Sequence, residues 1–275
     1  MDFINILQQI EKVDPEVYDK LDTRRDVMKR FTNISGKIAL AAIPLALGSM
    51  FNKAYATTSS AADVYATLNF ALTLEYLEAE FYTKGVAAPN LIPAAETTAF
   101  NTIKGHEVAH VEFLKSALMG AGATPVAKPT FDFTAGGVFA DVFTNYDTFL
   151  ALSQAFEDTG VRAYKGQAGV LLKQGAVLTA ALGIHAVEAR HAAHVRMVRS
   201  KRLNNDALKP WITQNTSFIG VAAANAVYAG ENNGTQANVN IATTAKISSD
   251  AATEAFDEPL TRPEVEAIAK LFIKA

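Results

Sequence analysis

A short pattern of glutamate and histidine occurs twice in this chain and constrains its fold more than any other feature. Glu107 and His110 form one E-x-x-H pair, and Glu188 and His191 form a second. Residues three apart on a helix share a face, so each pair can bind one metal ion. A single site that uses both pairs requires two helices to face each other.

One further glutamate precedes each pair by nearly the same interval. Glu75 lies 107 − 75 = 32 residues before the first pair, and Glu157 lies 188 − 157 = 31 residues before the second. The repeat indicates two similar helical hairpins that face each other, each contributing one glutamate and one E-x-x-H pair. The predicted metal ligands are Glu75, Glu107, His110, Glu157, Glu188 and His191.

Charge predicts what such a site holds. Four ionised glutamates in an apolar bundle would carry about −4, which a low-dielectric interior penalises severely unless it is balanced. Two divalent cations supply the balance, and neutral imidazoles add no charge. The chain has no cysteine, so thiolate ligands are excluded, and oxygen and imidazole nitrogen suit iron or manganese. We therefore expect two divalent metal ions, and the ligands do not choose between these metals.

Neighbouring residues leave two choices open. Glu78 lies one turn after Glu75 and is the alternative ligand, with Glu75 then supporting it. Tyr82 and Tyr164 each follow a predicted ligand glutamate by seven residues, or two helical turns, and share its face. These tyrosines either hydrogen-bond a ligand glutamate, as candidate catalytic residues, or pack in the core.

The remaining histidines have weaker signals. His185 and His194 lie on or near the face of the second E-x-x-H pair, so either a supporting role there or an ordinary surface or core position is open. His106 directly precedes a predicted ligand and is expected to point away from the site.

Helical periodicity, together with the positions of proline and glycine, predicts the architecture. Four helices are expected at about 60–84, 94–119, 146–167 and 174–202, and no proline falls inside them. Gly85 stands where a helix-ending glycine belongs. The first and last connections are short, whereas 121–145 is long, so we expect an all-α four-helix bundle over 57–203 with one long crossover between helices two and three. An irregular extension, 204–275, is expected to end in a short helix from Thr261 to about Ile273.

The amino-terminal residues resemble an export signal. The segment 23–29 (TRRDVMK) resembles a twin-arginine signal, an apolar run follows at 38–51, and Ala54-Tyr55-Ala56 fits a cleavage site. We expect residues 1–56 to be an extension and signal, cleaved after Ala56, that directs the chain through the twin-arginine machinery to the periplasm or beyond. A buried helix or an uncleaved anchor is the alternative. The net charge of −3 gives no sign of a nucleic-acid partner.

Taken together, the sequence resembles the ferritin-like superfamily, and most of all its stress- and desiccation-related branch. The resemblance rests on LNFAL at 68–72, EYLEAEFY at 75–82, EVAH at 107–110, PTFDF at 129–133, VEARHAA at 187–193 and FDEPLT at 256–261. It covers nearly all of the chain after the signal. The ligand motif is specific to the superfamily but does not fix the reaction, because the superfamily includes ferroxidases, peroxidases, oxygenases and manganese catalases. The branch itself, as the resemblance implies, has no well-defined activity.

Three functions follow as hypotheses. The first is a redox enzyme acting on dioxygen or peroxide, in stress protection. The second is a non-catalytic stress or surface-interaction protein with a structural metal site. The third is iron storage, ranked last because a long tail hinders assembly of a closed shell; a smaller homo-oligomer remains open.

Overall fold

Four long helices form the body of the molecule. The computed structural model describes residues 59–274. The helices are α1 Ala61–Ala87, α2 Thr97–Gly120, α3 Tyr146–Gln167 and α4 Gly175–Leu203. The all-α bundle with its long crossover is confirmed, whereas the predicted signal at 1–56 and its cleavage site lie outside the described residues. Over 59–274, no helix combines the length and apolarity needed to cross a membrane.

Short elements make up the rest of the chain. A 3-10 turn, Ala168–Leu171, links α3 to α4. The carboxyl-terminal extension contains a 3-10 helix Ala222–Tyr228, an antiparallel hairpin of β1 Thr235–Gln236 and β2 Val239–Asn240, and helices α5 Ile241–Ala245, α6 Ser249–Thr253 and α7 Arg262–Ala269.

Three predicted helix ends differ from the structure by three or four residues, and one of them is the start of α2, at Thr97 instead of about 94. α1 continues through Gly85 to Ala87. Gly85 is a packing glycine and not a helix-ending one, because the ring of Phe149 occupies the space that a side chain there would need. α7 starts with the expected Thr261 capping box but stops at Ala269. Ile273 leaves the helix because it pairs with Phe131 of the crossover in an isolated β-bridge.

The crossover runs along the whole length of α1. Near the start of α1, the Tyr65 hydroxyl donates to the carbonyl of Ala121 at 3.0 Å. Further along, Lys128 forms a 2.7 Å ion pair with Glu80. Because the crossover returns the chain to the far end of α1, α3 begins there and the two hairpins can face each other.

The two ends of the bundle are filled differently. At the end where α3 begins, aromatic rings crowd together: Phe81 stacks on Phe149 at 4.8 Å and meets Phe156 edge-on at 5.1 Å. At the opposite end, the buried residues are mainly aliphatic, including Leu68 and Leu118. The predicted ligands lie between these two regions.

A polar stripe on α3 attaches the carboxyl-terminal extension. Gln154, Asp158 and Arg162, spaced four apart, are all buried. The Arg162 guanidinium donates to the carbonyls of Val227, Ala229 and Glu258 and pairs with Glu231 at 2.7 Å. The Asp158 carboxylate accepts from Arg196 of α4 and, at 2.7 Å, from the hydroxyl of Tyr228. The extension therefore covers α3, which is why this helix is buried on nearly every side.

Gly166 tests this docking. Leu260 donates its backbone N–H to the Arg162 carbonyl, and a methyl group at Gly166 would overlap the Leu260 carbonyl oxygen. We expect Gly166→Ala to destabilise the protein by about 1–3 kcal/mol through overpacking, despite the higher helix propensity of alanine. Gly183→Ala in α4, where nothing lies within 4 Å, is the control and should be neutral or stabilising. Equal urea-unfolding free energies for the two variants would contradict the docking.

Candidate metal centre

The six predicted ligands converge in the middle of the bundle. All six are buried, and the four glutamates have no exposed surface. Their oxygens and nitrogens form two groups, within each of which the ligand atoms lie within 4.8 Å of one another. One group is Glu75, Glu107, His110 and Glu188, and the other is Glu107, Glu157, Glu188 and His191. Glu107 and Glu188 belong to both, so the arrangement is that of two adjacent positions sharing two carboxylates.

Within the described residues, several of these buried atoms make no well-oriented hydrogen bond, although some lie close to another ligand atom. The atoms without such a bond are Glu107 Oε1, Glu157 Oε2, both oxygens of Glu188, and Nδ1 of His191. Buried polar atoms are almost always paired, so such a concentration of unpaired acceptors requires an explanation. Divalent cations would satisfy them, because carboxylate oxygen and imidazole nitrogen are the donors that such ions accept. The donor set is therefore compatible with divalent metal ions.

His110 directs Nδ1 at carboxylates from both hairpins. This nitrogen lies 3.1 Å from Glu75 Oε2, 3.2 Å from Glu107 Oε2 and 3.3 Å from Glu188 Oε1. Glu188 comes from the opposite hairpin, so His110 faces carboxylates from both.

His191 occupies the equivalent position on the other side. Its Nδ1 lies 2.9 Å from Glu107 Oε1 and 3.3 Å from Glu157 Oε2. The opposite ring nitrogen, Nε2, lies 2.9 Å from Nδ1 of His106, and the two imidazoles stack at 5.2 Å. When Nδ1 is a ligand, Nε2 carries the proton and donates it to His106, which fixes the ring orientation.

The expectation that His106 points away from the site was therefore wrong. Its neighbour Glu107 does point into the bundle, but the His106 ring reaches across the gap between α2 and α4 to His191. That contact joins two helices whose alignment the sequence does not specify. His185 instead has Nδ1 3.0 Å from the Val161 carbonyl, and His194 lies 3.4 Å from Glu96, so neither touches the ligand cluster.

The two tyrosines bond to ligand glutamates of the opposite hairpin. Tyr82 of α1 donates to Glu157 of α3, and Tyr164 of α3 donates to Glu75 of α1. Both tyrosines are buried, which raises the pKa of each phenol well above 10 and keeps it protonated. Each phenol therefore holds one oxygen of its glutamate and leaves the second to face the cluster.

Glu78 is buried but belongs to neither group of ligand atoms. It lies beside Gly160, where a β-carbon would come within 3.4 Å of Glu78 Oε1 and 3.0 Å of Glu188 Oε2. The missing side chain at position 160 thus makes room for two carboxyl groups. Burial, and then the charge of Glu188, raises the pKa of Glu78 well above its ordinary value.

Without metal ions the cluster binds protons tightly. Burial raises the pKa of Glu75 to about 7, and burial also raises the pKa values of Glu157 and Glu188. Burial opposes charge on the two histidines, but the adjacent carboxylates outweigh it and raise the pKa of His110 to about 12 and of His191 to about 10. A metal ion must therefore displace protons to bind.

A comparison with known families agrees with this geometry. The sequence profile of the ferritin-like domain family matches residues 63–201, just over half of the 275 residues. The match spans α1 to α4 up to Lys201 and includes all six predicted ligands. No curated protein sequence matches the chain significantly.

Competition with protons gives a pH prediction. Lowering the pH through about 7 protonates Glu75, so we expect the affinity for Mn²⁺ to fall between pH 8 and pH 6 and binding to release protons. Isothermal titration in buffers with different heats of ionisation measures both. Glu75→Gln, which cannot take up that proton, should bind more weakly at pH 8 and depend less on pH. Affinity independent of pH, without proton release, would place the bound ion elsewhere.

Proposed function

We propose, because this chain belongs to the ferritin-like domain family and its bundle is compatible with a dinuclear site, that it binds two iron or manganese ions and reacts with dioxygen or peroxide. The observation that carries the proposal is the set of unpaired, fully buried ligand atoms shared between two positions. We further propose that this protein is exported and that its activity protects the compartment that receives it under stress.

Each side chain would have a distinct task. Glu107 and Glu188 belong to both positions and would bridge them, while His110 and His191 would each bind one ion. Bound iron or manganese would supply the electrons for reducing dioxygen or peroxide by changing oxidation state. The protein itself excludes water from this region, because the surrounding helices bury all four glutamates completely.

Hydrogen bonds across the bundle hold the cluster in place. Each tyrosine fixes a glutamate of the opposite hairpin, and His106 orients the ring of His191. Such supporting contacts set the orientation and basicity of metal ligands. A stability-only metal site would also benefit from this rigidity, so the geometry leaves a structural role as the second candidate.

Glu157→Gln separates these two functions. The substitution keeps the size of the side chain but removes its charge, so we expect metal content to fall from about two ions per chain and peroxide or dioxygen turnover to drop at least 100-fold. Circular dichroism should show the same helical content. The control is Glu112→Gln, an exposed residue of α2 that pairs only with Lys115 and should keep full turnover.

The alternative gives a different result. If the wild-type protein, loaded with about two iron or manganese ions, consumes neither oxidant, while Glu157→Gln lowers its thermal stability, the site is structural. Wild-type protein that is folded, unexposed to chelators and free of transition metal would contradict both functions.

Export is proposed separately, from residues 23–29 and 54–56. We expect Arg24→Lys together with Arg25→Lys to leave the full-length chain inside the cell, because the arginine pair is the feature that the twin-arginine machinery reads. Cell fractionation measures this, with Lys20→Arg as a control outside the motif. Unchanged export of the double variant would exclude this route.

A further inference from the structure

An apolar chamber lies at the aliphatic end of the bundle. Its volume is about 240 Å³, and all four helices contribute to its wall. Its lining includes Leu68 and Ala71 of α1, Leu114 of α2, Ala163 of α3 and Ile184 of α4. Phe113 of α2 also lines it and is 45% exposed, which places this ring at the chamber's opening.

The chamber lies one helical turn from the ligand cluster. Ala71 precedes Glu75 by four residues, and Ile184 likewise precedes Glu188 by four. Four residues on a helix correspond to about 6 Å along the axis. Tyr164 lines the chamber while its hydroxyl donates to Glu75. One side chain thus forms both the inner wall of the chamber and a support for the candidate metal centre.

The equivalent space at the other end of the bundle is full. Tyr82, the counterpart of Tyr164, lies among the rings of Phe81, Phe149 and Phe100, with centroids 5.3–6.2 Å away. The two halves therefore match in their ligands but differ in what surrounds them. Because the fold fills this space at one end, the chamber at the other end is a specific property of the residues that line it.

The lining determines which molecules fit. Among residues 59–274, no charged side chain contributes to it, and the polar side chains that do are those of Thr67, Tyr164 and Gln167. A charged molecule would lose its hydration there without gaining a partner. An apolar cavity of about 150 Å³ accommodates benzene, so this chamber is large enough for a benzene ring with a short alkyl chain.

We propose that this chamber binds a small, neutral, largely apolar organic molecule, of the size of an alkylbenzene, next to the candidate metal centre. Binding at this position goes beyond the proposed redox function and needs no turnover. A molecule held there would contact the ring of Tyr164, and so would lie one side chain away from the glutamate that this tyrosine supports.

Binding of n-butylbenzene to the full-length chain tests the proposal. Loading with Zn²⁺, which has no redox chemistry, separates binding from turnover, and the metal-free chain is titrated in parallel. Ala180→Leu fills the chamber from α4, whereas Ala186→Leu adds the same atoms to an exposed position of the same helix. Ala117→Leu, from α2, is the second chamber-filling variant if Ala180→Leu loses its helical signal. Calorimetry gives the dissociation constants.

We expect saturable binding of one molecule per chain. Ala180→Leu should raise the dissociation constant at least tenfold, and Ala186→Leu should change it less than twofold. The anion 4-butylbenzoate should bind at least tenfold more weakly than n-butylbenzene. Absence of saturable binding, equal dissociation constants for the two leucine variants, or equal affinity for the anion would each overturn the proposal. Binding to the Zn²⁺-loaded chain, combined with no consumption of dioxygen or peroxide by the iron- or manganese-loaded chain, would uphold it while removing the proposed function.

Discussion

Mutual repulsion among buried carboxylates is the constraint on which this structure depends. Four glutamates from four helices meet where no water reaches them, and two of them face both candidate metal positions. Neither hairpin could hold its share alone, because Glu107 and Glu188 come from opposite hairpins and each serves both groups. Phenol donors and histidine rings offset the repulsion, bound metal ions would offset it further, and close packing around the cluster prevents the helices from separating.

The two hairpins are alike in their ligands and unlike in their surroundings. Tyr82 and Tyr164 make the same kind of bond to the opposite hairpin, yet one lies among aromatic rings and the other borders a chamber. An internal repeat therefore fixes the symmetrical part of the molecule, the ligands. The side chains that differ between the two repeats fix which side has space for another molecule.

The sequence predicted the parts of the structure that depend on local spacing. The helix α3 begins and ends at the predicted residues. All six proposed ligands come together, because their helical spacing places the ligands of each helix on one face. Contacts across the bundle were harder to predict. His106 was misjudged because its partner, His191, lies on a helix whose alignment with α2 only tertiary packing sets. The partners of Arg162 lie 65 to 96 residues away, in an extension without a strong periodic signal.

The order of synthesis gives the polar stripe of α3 a further consequence. Arg162 emerges from the ribosome well before Val227, Ala229 and Glu258, whose carbonyls it needs when it is buried. Chains tend to fold from the amino terminus as they are made, but here the nascent bundle must keep one face of α3 hydrated until Glu258 appears. The flank of α3 can therefore close only after residues 227–258 have been made, and a ribosome that stalls near residue 220 would release a bundle with an open flank.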